Sequence, residues 1–224
     1  EDDNCLVVHF NSYTFGKFLE CVGLAGKKAP NKFVPNAIFN LKRDLQIEFL
    51  KGLIQSDGFA FVGKSRRRYD KPICGHSTTS KKLMEGIVFL YRQLGLLPSV
   101  IRSKNKDHYY KDVLIKSNYD TYNILIGSIE QLKKAKPIWQ DHKNNKALGK
   151  FINKATRPRN RRSVVDVNKD FQAVKVLDVK KINGNDKFVY DISVDINRSF
   201  IGGLGGLTLH NSDGNHISTL LLTF

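Results

Sequence analysis

Residues 49–58 read Phe49-Leu50-Lys51-Gly52-Leu53-Ile54-Gln55-Ser56-Asp57-Gly58. Taken as a helix beginning near Leu45, the stretch carries two small residues, Gly52 and Ser56, four positions apart on one face. That spacing lets a second helix backbone approach closely, while Phe49, Leu53 and the Leu50/Ile54 pair fill the surrounding core. Gly58 supplies the positive φ expected at a helix end. Asp57 is then left at the C-terminal tip, where the helix dipole disfavours a carboxylate unless a cation neutralises it. By itself the stretch also fits an ordinary amphipathic helix closed by Asp-Gly.

The elements on either side follow from local signals. Leu6–Phe10 reads as a strand, and Asn11-Ser12 caps a helix over about Tyr13–Val22 that ends at Gly23. Lys27–Pro35 is a basic loop. Beyond the central helix come strands near Phe59–Val62 and Ile73–Thr78, then a periodic helix, Lys81–Leu94, capped by Ser80 and closed by Gly95. Strands at Pro98–Ser103 and Tyr109–Lys116 follow, and Asn118 or Asp120 caps a last helix through Lys133. From Leu45 the order is αββαββα. Val7–Tyr13 and Val113–Tyr119 share a pattern of apolar strand, polar cap and Tyr, which reads either as a repeat or as a chance likeness of two strand–helix pairs.

The 224 residues carry 37 Lys+Arg against 21 Asp+Glu, a net charge of +16 and a pI near 9.8. That balance suits a polyanion, nucleic acid above all, although a generic basic domain would show it too. No apolar run approaches a membrane span and no signal peptide is apparent, so an intracellular location, cytoplasmic or on DNA, with no membrane partner is expected. Three cysteines, Cys5, Cys21 and Cys74, are too few and too scattered for a disulfide framework or a zinc site. From Lys133 to Arg162 there are eleven Lys/Arg and one acidic residue. The run reads as a solvated basic linker or as an extension that tracks DNA.

Residues 49–58 resemble the motif that names the LAGLIDADG homing endonucleases. The resemblance implies an α+β fold in which two such helices pack together, and each tip Asp binds a divalent metal used in hydrolysing double-stranded DNA. Here Asp57 would be that ligand and Mg2+ the cofactor. Lys32, in Lys-Phe-Val-Pro, and Lys134, in Lys-Ala-Lys-Pro, resemble the lysine that stabilises charge near the metals in each half. On the strands, Lys64, Arg66, Arg67, Arg68, Lys71, His76, Arg102, Lys104, Lys106, Lys111 and Lys116 could present a basic face to a duplex. Residues 36–137 are read as one endonuclease half and 1–35 as the tail of a preceding half. A missing upstream half, in cis or in trans, or a second copy would supply the partner helix.

A second constellation lies near the end. Residues 138–163 are taken as a basic linker, after which the texture turns β-rich, with an Asn-Gly-Asn hairpin signal at Asn183–Asn185. Then come Tyr190-Asp191-Ile192-Ser193-Val194, Ser199-Phe200-Ile201 and Leu209-His210-Asn211-Ser212. The Asn side-chain amide can attack its own carbonyl, giving a succinimide and breaking the peptide bond, and a preceding His can donate the proton. This arrangement over 164–211 resembles the C-terminal splicing blocks of inteins (Hint fold). It implies that Asn211 cyclises, His210 assists, Asp191 organises the branched-intermediate step, and Ser212 is the first host residue and nucleophile. Arg198 stands where the family usually carries His, a departure that bears on how cyclisation is assisted.

Residues 212–224 resemble the acidic metal-binding segment of type II topoisomerase (gyrase-like) B subunits, which makes Asp213 a magnesium ligand of the host. The whole reads as the C-terminal part of an endonuclease-bearing intein in such a host. The alternatives are a DNA-binding but inactive maturase-like protein and a split-intein half that needs a partner in trans.

Overall fold

The computed structural model describes residues 11–64, 70–104, 107–110, 113–154, 164–166, 172–174, 178–179, 192, 194–196, 198–204 and 207–210. The elements in chain order are α1 (Tyr13–Cys21), α2 (Asn36–Phe39), α3 (Arg43–Asp57), β1 (Gly58–Lys64), β2 (Asp70–Thr78), α4 (Lys81–Gln93) and β3 (Ser99–Ser103). They continue with β4 (His108–Tyr110), β5 (Val113–Ile115), β6 (Thr121–Ile126), α5 (Ile129–Lys134), α6 (Lys136–Trp139) and α7 (Asn145–Lys154). Short hairpins β7 (Val164–Asp166) with β8 (Gln172–Val174), and β9 (Ser199–Gly202) with β10 (Leu207–His210), close the described chain.

The principal sheet has four strands in the order β1-β2-β6-β3, antiparallel throughout. Helices cover one face. Leu50 and Ile54 of α3, Ile87 and Leu90 of α4, and Leu148 and Ile152 of α7 join Ala60, Cys74, Ile124 and Ile126 of the sheet in one core. Helices α1 and α4 start as their local signals dictate. The Ser12 hydroxyl accepts from the Phe15 amide, and the Ser80 hydroxyl accepts from the Leu83 amide. Gly23 and Gly95 take positive φ at the helix ends. At the other end of α3, the buried Gln46 amide donates to the carbonyls of Ile38 and Phe39, and Arg43 donates to that of Leu94. These bonds tie α3 to α2 and α4 and fix the direction in which its tip points.

Three expectations need correcting. Residues 109–116 are not one strand of the sheet but the separate hairpin β4–β5. The fourth sheet strand is instead β6, where a helix capped by Asn118 or Asp120 was expected. Thr121-Tyr122-Asn123-Ile124-Leu125-Ile126 alternates in the strand period, and only a position between β2 and β3 buries Ile124 and Ile126. The next helix therefore starts later, with the Ser128 hydroxyl accepting from the Gln131 amide. Tyr119 accordingly does not open a helix as Tyr13 does, and the pattern shared by Val7–Tyr13 and Val113–Tyr119 does not extend to a common strand–helix pair.

The second correction concerns 138–154, expected as linker. Those residues form the second half of α6 and all of α7, and place Ile138, Trp139, Leu148 and Ile152 in the core. Trp139 is locked by its Nε1–H donating to the Leu132 carbonyl at 2.8 Å, and Asp141 pairs with Lys51 of α3 at 2.7 Å. The remainder of that linker, 155–163, lies outside the described residues, as do the Leu6–Phe10 strand and the Asn183–Asn185 turn.

The third correction concerns Gly58. Its φ of −86° and ψ of −178° are ordinary extended backbone, so the helix runs straight into β1 with no left-handed stop. Glycine is needed there for space. A Cβ would lie 2.5 Å from Ile54 Cα and 2.7 Å from the Ile54 carbonyl oxygen, both helix backbone atoms that cannot turn away. Gly58→Ala should therefore destabilise the fold by about 3 kcal/mol, as overpacking against backbone does. Gly52→Ala, whose Cβ meets nothing within 4 Å, should stabilise the isolated chain by roughly 0.5–1 kcal/mol through helix propensity. Urea unfolding of the two variants measures both, and equal midpoints would refute the steric account of Gly58.

Candidate functional site

Asp57 is the last residue of α3, exposed, at the negative end of the helix dipole. The next residue, Gly58, pairs in register with His76 of β2, so the tip of α3 sits against the start of the sheet. His76, expected on the face turned to DNA, is instead on the helix-covered side of the sheet and only 3% exposed. Its ring donates to the backbone carbonyl of Leu53, one turn before Asp57, while Nδ1 has no partner. Burial holds the His76 pKa below the usual histidine value. The Lys32 charge pushes the same way, and Asp57 and the bond to Leu53 push against it. His76 thus lies within electrostatic reach of both Asp57 and Lys32.

Lys32 is held where it is by its main chain. Its carbonyl accepts from the Ser80 hydroxyl at 2.5 Å, the same hydroxyl that caps α4. Two residues on, Val34 packs on Gly86 of α4, where a Cβ would come within 2.7 Å of the valine. The loop carrying Lys32 is therefore anchored on α4 while the lysine itself stays exposed.

The uncovered side of α3 holds Leu45, Gly52 and Ser56, all exposed. Gly52 faces open space and the Ser56 hydroxyl turns back to the Leu53 carbonyl at 3.2 Å. The small-residue face expected to receive a second helix has none against it among the described residues. Helix α1 buries nothing either, and it exposes Tyr13, Phe15 and Phe18.

A divalent cation would meet one carboxylate here. Among the described residues no three His, Cys, Asp or Glu side chains converge, and the Cys74 thiol is pushed up to about 12 by burial, out of reach of metal chemistry. Asp57 at a helix C-terminus, with exposed space around it, fits half of a magnesium site, since that ion commonly keeps several waters and takes only one or two carboxylates.

The face of the sheet turned away from the helices is open. By strand alternation it presents Phe59 and Phe61 of β1, Lys71, Ile73, Gly75 and Ser77 of β2, Asn123 and Leu125 of β6, and Ile101 and Ser103 of β3. Ser77 and Asn123 share a 2.6 Å hydrogen bond, and the Asn123 amide reaches Ser103 at 3.5 Å. This polar patch was not singled out from the sequence. Alternation in 70–78 and 121–126 contained the signal, but only the register of three strands brings the residues together.

The expected basic residues fall into separate groups. Lys71 lies on the open face beside Gly127. Lys104 and Lys116 are exposed. Arg102 is on the opposite strand face from Ile101 and is already bound to Asp120, through Nη2 at 2.5 Å and Nε at 2.6 Å. Lys134 pairs with Glu130 on α5 at 3.6 Å, and no described contact brings it to Asp57. Arg66, Arg67, Arg68, Lys111, Asp191, Asn211, Ser212 and Asp213 lie outside the described residues, whereas the backbone of His210 ends strand β10, opposite Ser199.

Residues 44–135, from α3 to α5, match the family described as LAGLIDADG-like domain. Similarity also extends to longer proteins. The chain is 27% identical over 215 residues to an uncharacterized protein of Methanocaldococcus jannaschii, covering 95% of this chain and 21% of that protein. It is 29% identical over 216 residues to the replication factor C small subunit of the same organism, covering 87% and 11%. It is 28% identical over 209 residues to a DNA polymerase of Thermococcus hydrothermalis, covering 84% and 11%. The chain thus spans only about a fifth to a tenth of these relatives. No helix among the described residues is long and apolar enough to cross a membrane.

Proposed function

We propose that the chain is part of a LAGLIDADG homing endonuclease that hydrolyses phosphodiester bonds of double-stranded DNA. The observation that carries this reading is Asp57, exposed on the tip of α3 and within electrostatic reach of His76, as Lys32 is. Asp57 would hold Mg2+, which when bound supplies a Lewis acid that activates water and stabilises the leaving oxygen. Lys32 faces charge developing on the phosphate. His76 ties the last turn of α3 to β2, so that Asp57 keeps its place. On the open sheet face, Ser77, Asn123 and Ser103 offer donors and acceptors to base edges and Lys71 offers charge to the backbone, with Lys104 and Lys116 as further exposed cations outside the sheet. Arg102, on the opposite strand face and bound to Asp120, is not part of that surface.

One tip carboxylate makes half a site, and the uncovered faces of α3 and α1 call for an upstream half or a second copy to complete it. The rival reading is a protein that binds DNA without cutting it. Metal-dependent nicking of duplex DNA, after the partner half is supplied, separates the two. Binding itself should be strongly salt-dependent, as expected when lysines displace counterions from phosphates. A titration in which affinity is indifferent to salt between low and physiological ionic strength would exclude the sheet as a DNA surface.

The domain is further proposed to sit in an intein whose C-terminal splicing segment is 164–211. Support comes from the β9–β10 hairpin, which ends on His210 immediately before Asn211-Ser212, and from relatives several times longer than this chain. The topoisomerase-type host, with Asp213 as a magnesium ligand, rests on the sequence of 212–224 alone. A natural split intein would need its N-terminal partner in trans.

A further inference from the structure

The lysine run that was expected to be linker is folded, and its folding sorts its charges. Residues 133–154 hold seven lysines and one acid, Asp141. Asp141 is taken by Lys51 at 2.7 Å, and Lys134 is paired with Glu130. Lys133, Lys136, Lys143, Lys146, Lys150 and Lys154 make no ion pair among the described residues. On α7, Leu148 and Ile152 face the core, which turns Lys146, Lys150 and Asn153 to the opposite side. Between that helix and α5–α6 lies a cavity of about 410 Å³ lined by Lys133, Lys136, Lys146, Gln140, Asn145 and Asn153. Trp139 forms part of its wall and is fixed by its bond to Leu132.

Three ammonium groups around one concavity repel one another until an anion enters, and lysines interleaved with side-chain amides are the donors that grip phosphodiester oxygens. The helices bearing them cover the core side of the sheet, whereas the open face lies on the other side. A straight duplex lying on the open face cannot also reach them. We propose that the outer face of α5–α7 is a second site for the duplex DNA backbone, with a phosphodiester group seated in the cavity between α5–α6 and α7. The inference rests on reading the chain as a DNA-binding protein, and it adds a contact separate from the sheet and from Asp57.

The test is lysine acetylation of the full chain with and without a long duplex, read by mass spectrometry, beside salt titrations of K133Q/K136Q/K146Q and K71Q. DNA should protect Lys133, Lys136 and Lys146 several-fold in the unaltered chain. The triple variant, shown by circular dichroism to be folded, should lower the log–log salt slope by about 2.7, against about 0.9 for K71Q. Protection confined to Lys71, Lys104 and Lys116 would overturn the second site while leaving the DNA reading intact. So would protection of the α5–α7 lysines by polyglutamate but not by DNA, which would assign the surface to an acidic protein. Failure of the unaltered chain to bind duplex at all would instead overturn the DNA reading itself, and loss of nicking alone touches neither.

Discussion

Asp57→Asn should reduce metal-dependent cleavage of duplex DNA by about a thousandfold, roughly 4 kcal/mol of transition-state stabilisation, once a partner half is present. The substitution keeps size and polarity but removes the charge that would hold the ion. Its structural cost should be small. Asp57 is exposed and its carboxylate makes no hydrogen bond or salt bridge to a described residue, so unfolding free energy should move by no more than about 0.5 kcal/mol. Duplex affinity in the absence of divalent metal should hold or rise slightly, because a negative charge near phosphates is gone. Lys32→Ala is the companion variant. It should lower the cleavage rate without the same loss of metal dependence, since its ammonium acts on the phosphate and not on the ion. Nicking assays with supercoiled substrate over a magnesium titration give all of these quantities. Undiminished cleavage by Asp57→Asn would make the carboxylate a bystander.

What could be read in the sequence was what local chemistry decides. Helices α1 and α4 were legible because Ser12 and Ser80 satisfy their first amides and Gly23 and Gly95 close them. Helix α3 and its acidic tip were legible from ten residues. Gly58 shows where a sound local rule loses to packing, because the position excludes a Cβ through the Ile54 backbone and not through its own φ. Strand β6 was missed because Asn118 and Asp120 resemble caps, while the value of burying Ile124 and Ile126 exists only within the order β1-β2-β6-β3. Lysine density hid α7, although Leu148 and Ile152 stood at helical spacing. Within the candidate site, Asp57 and Lys32 could be named from their motifs. The place of His76 beneath the helix tip depends on its register with Gly58, and the neutralisation of Arg102 on a partner eighteen residues away. Neither is written in any short stretch.

Asn211→Ala should stop C-terminal cleavage of this chain altogether. In the proposed chemistry the Asn211 side-chain nitrogen attacks the Asn211 carbonyl carbon. The new C–N bond closes a succinimide, the peptide bond to Ser212 breaks, and its nitrogen leaves with a proton as the amine of a peptide spanning 212–224. Alanine has no nitrogen to attack, and nothing else in the reaction can replace it. His210 has a different task, since it donates a proton or polarises the carbonyl. His210→Ala should therefore slow release by about a hundredfold without ending it, the scale of a single general acid. The backbone of β10 holds residue 210 against Ser199 through the register Leu207↔Gly202 to His210↔Ser199. Arg198, at φ 48° just before β9, occupies the place where inteins usually carry His. Arg198→His should accordingly accelerate release. Mass spectrometry of the incubated chain follows the free peptide over time. Release of that peptide from Asn211→Ala at the unaltered rate would show that another process cuts the chain, and the splicing assignment would lose its chemistry.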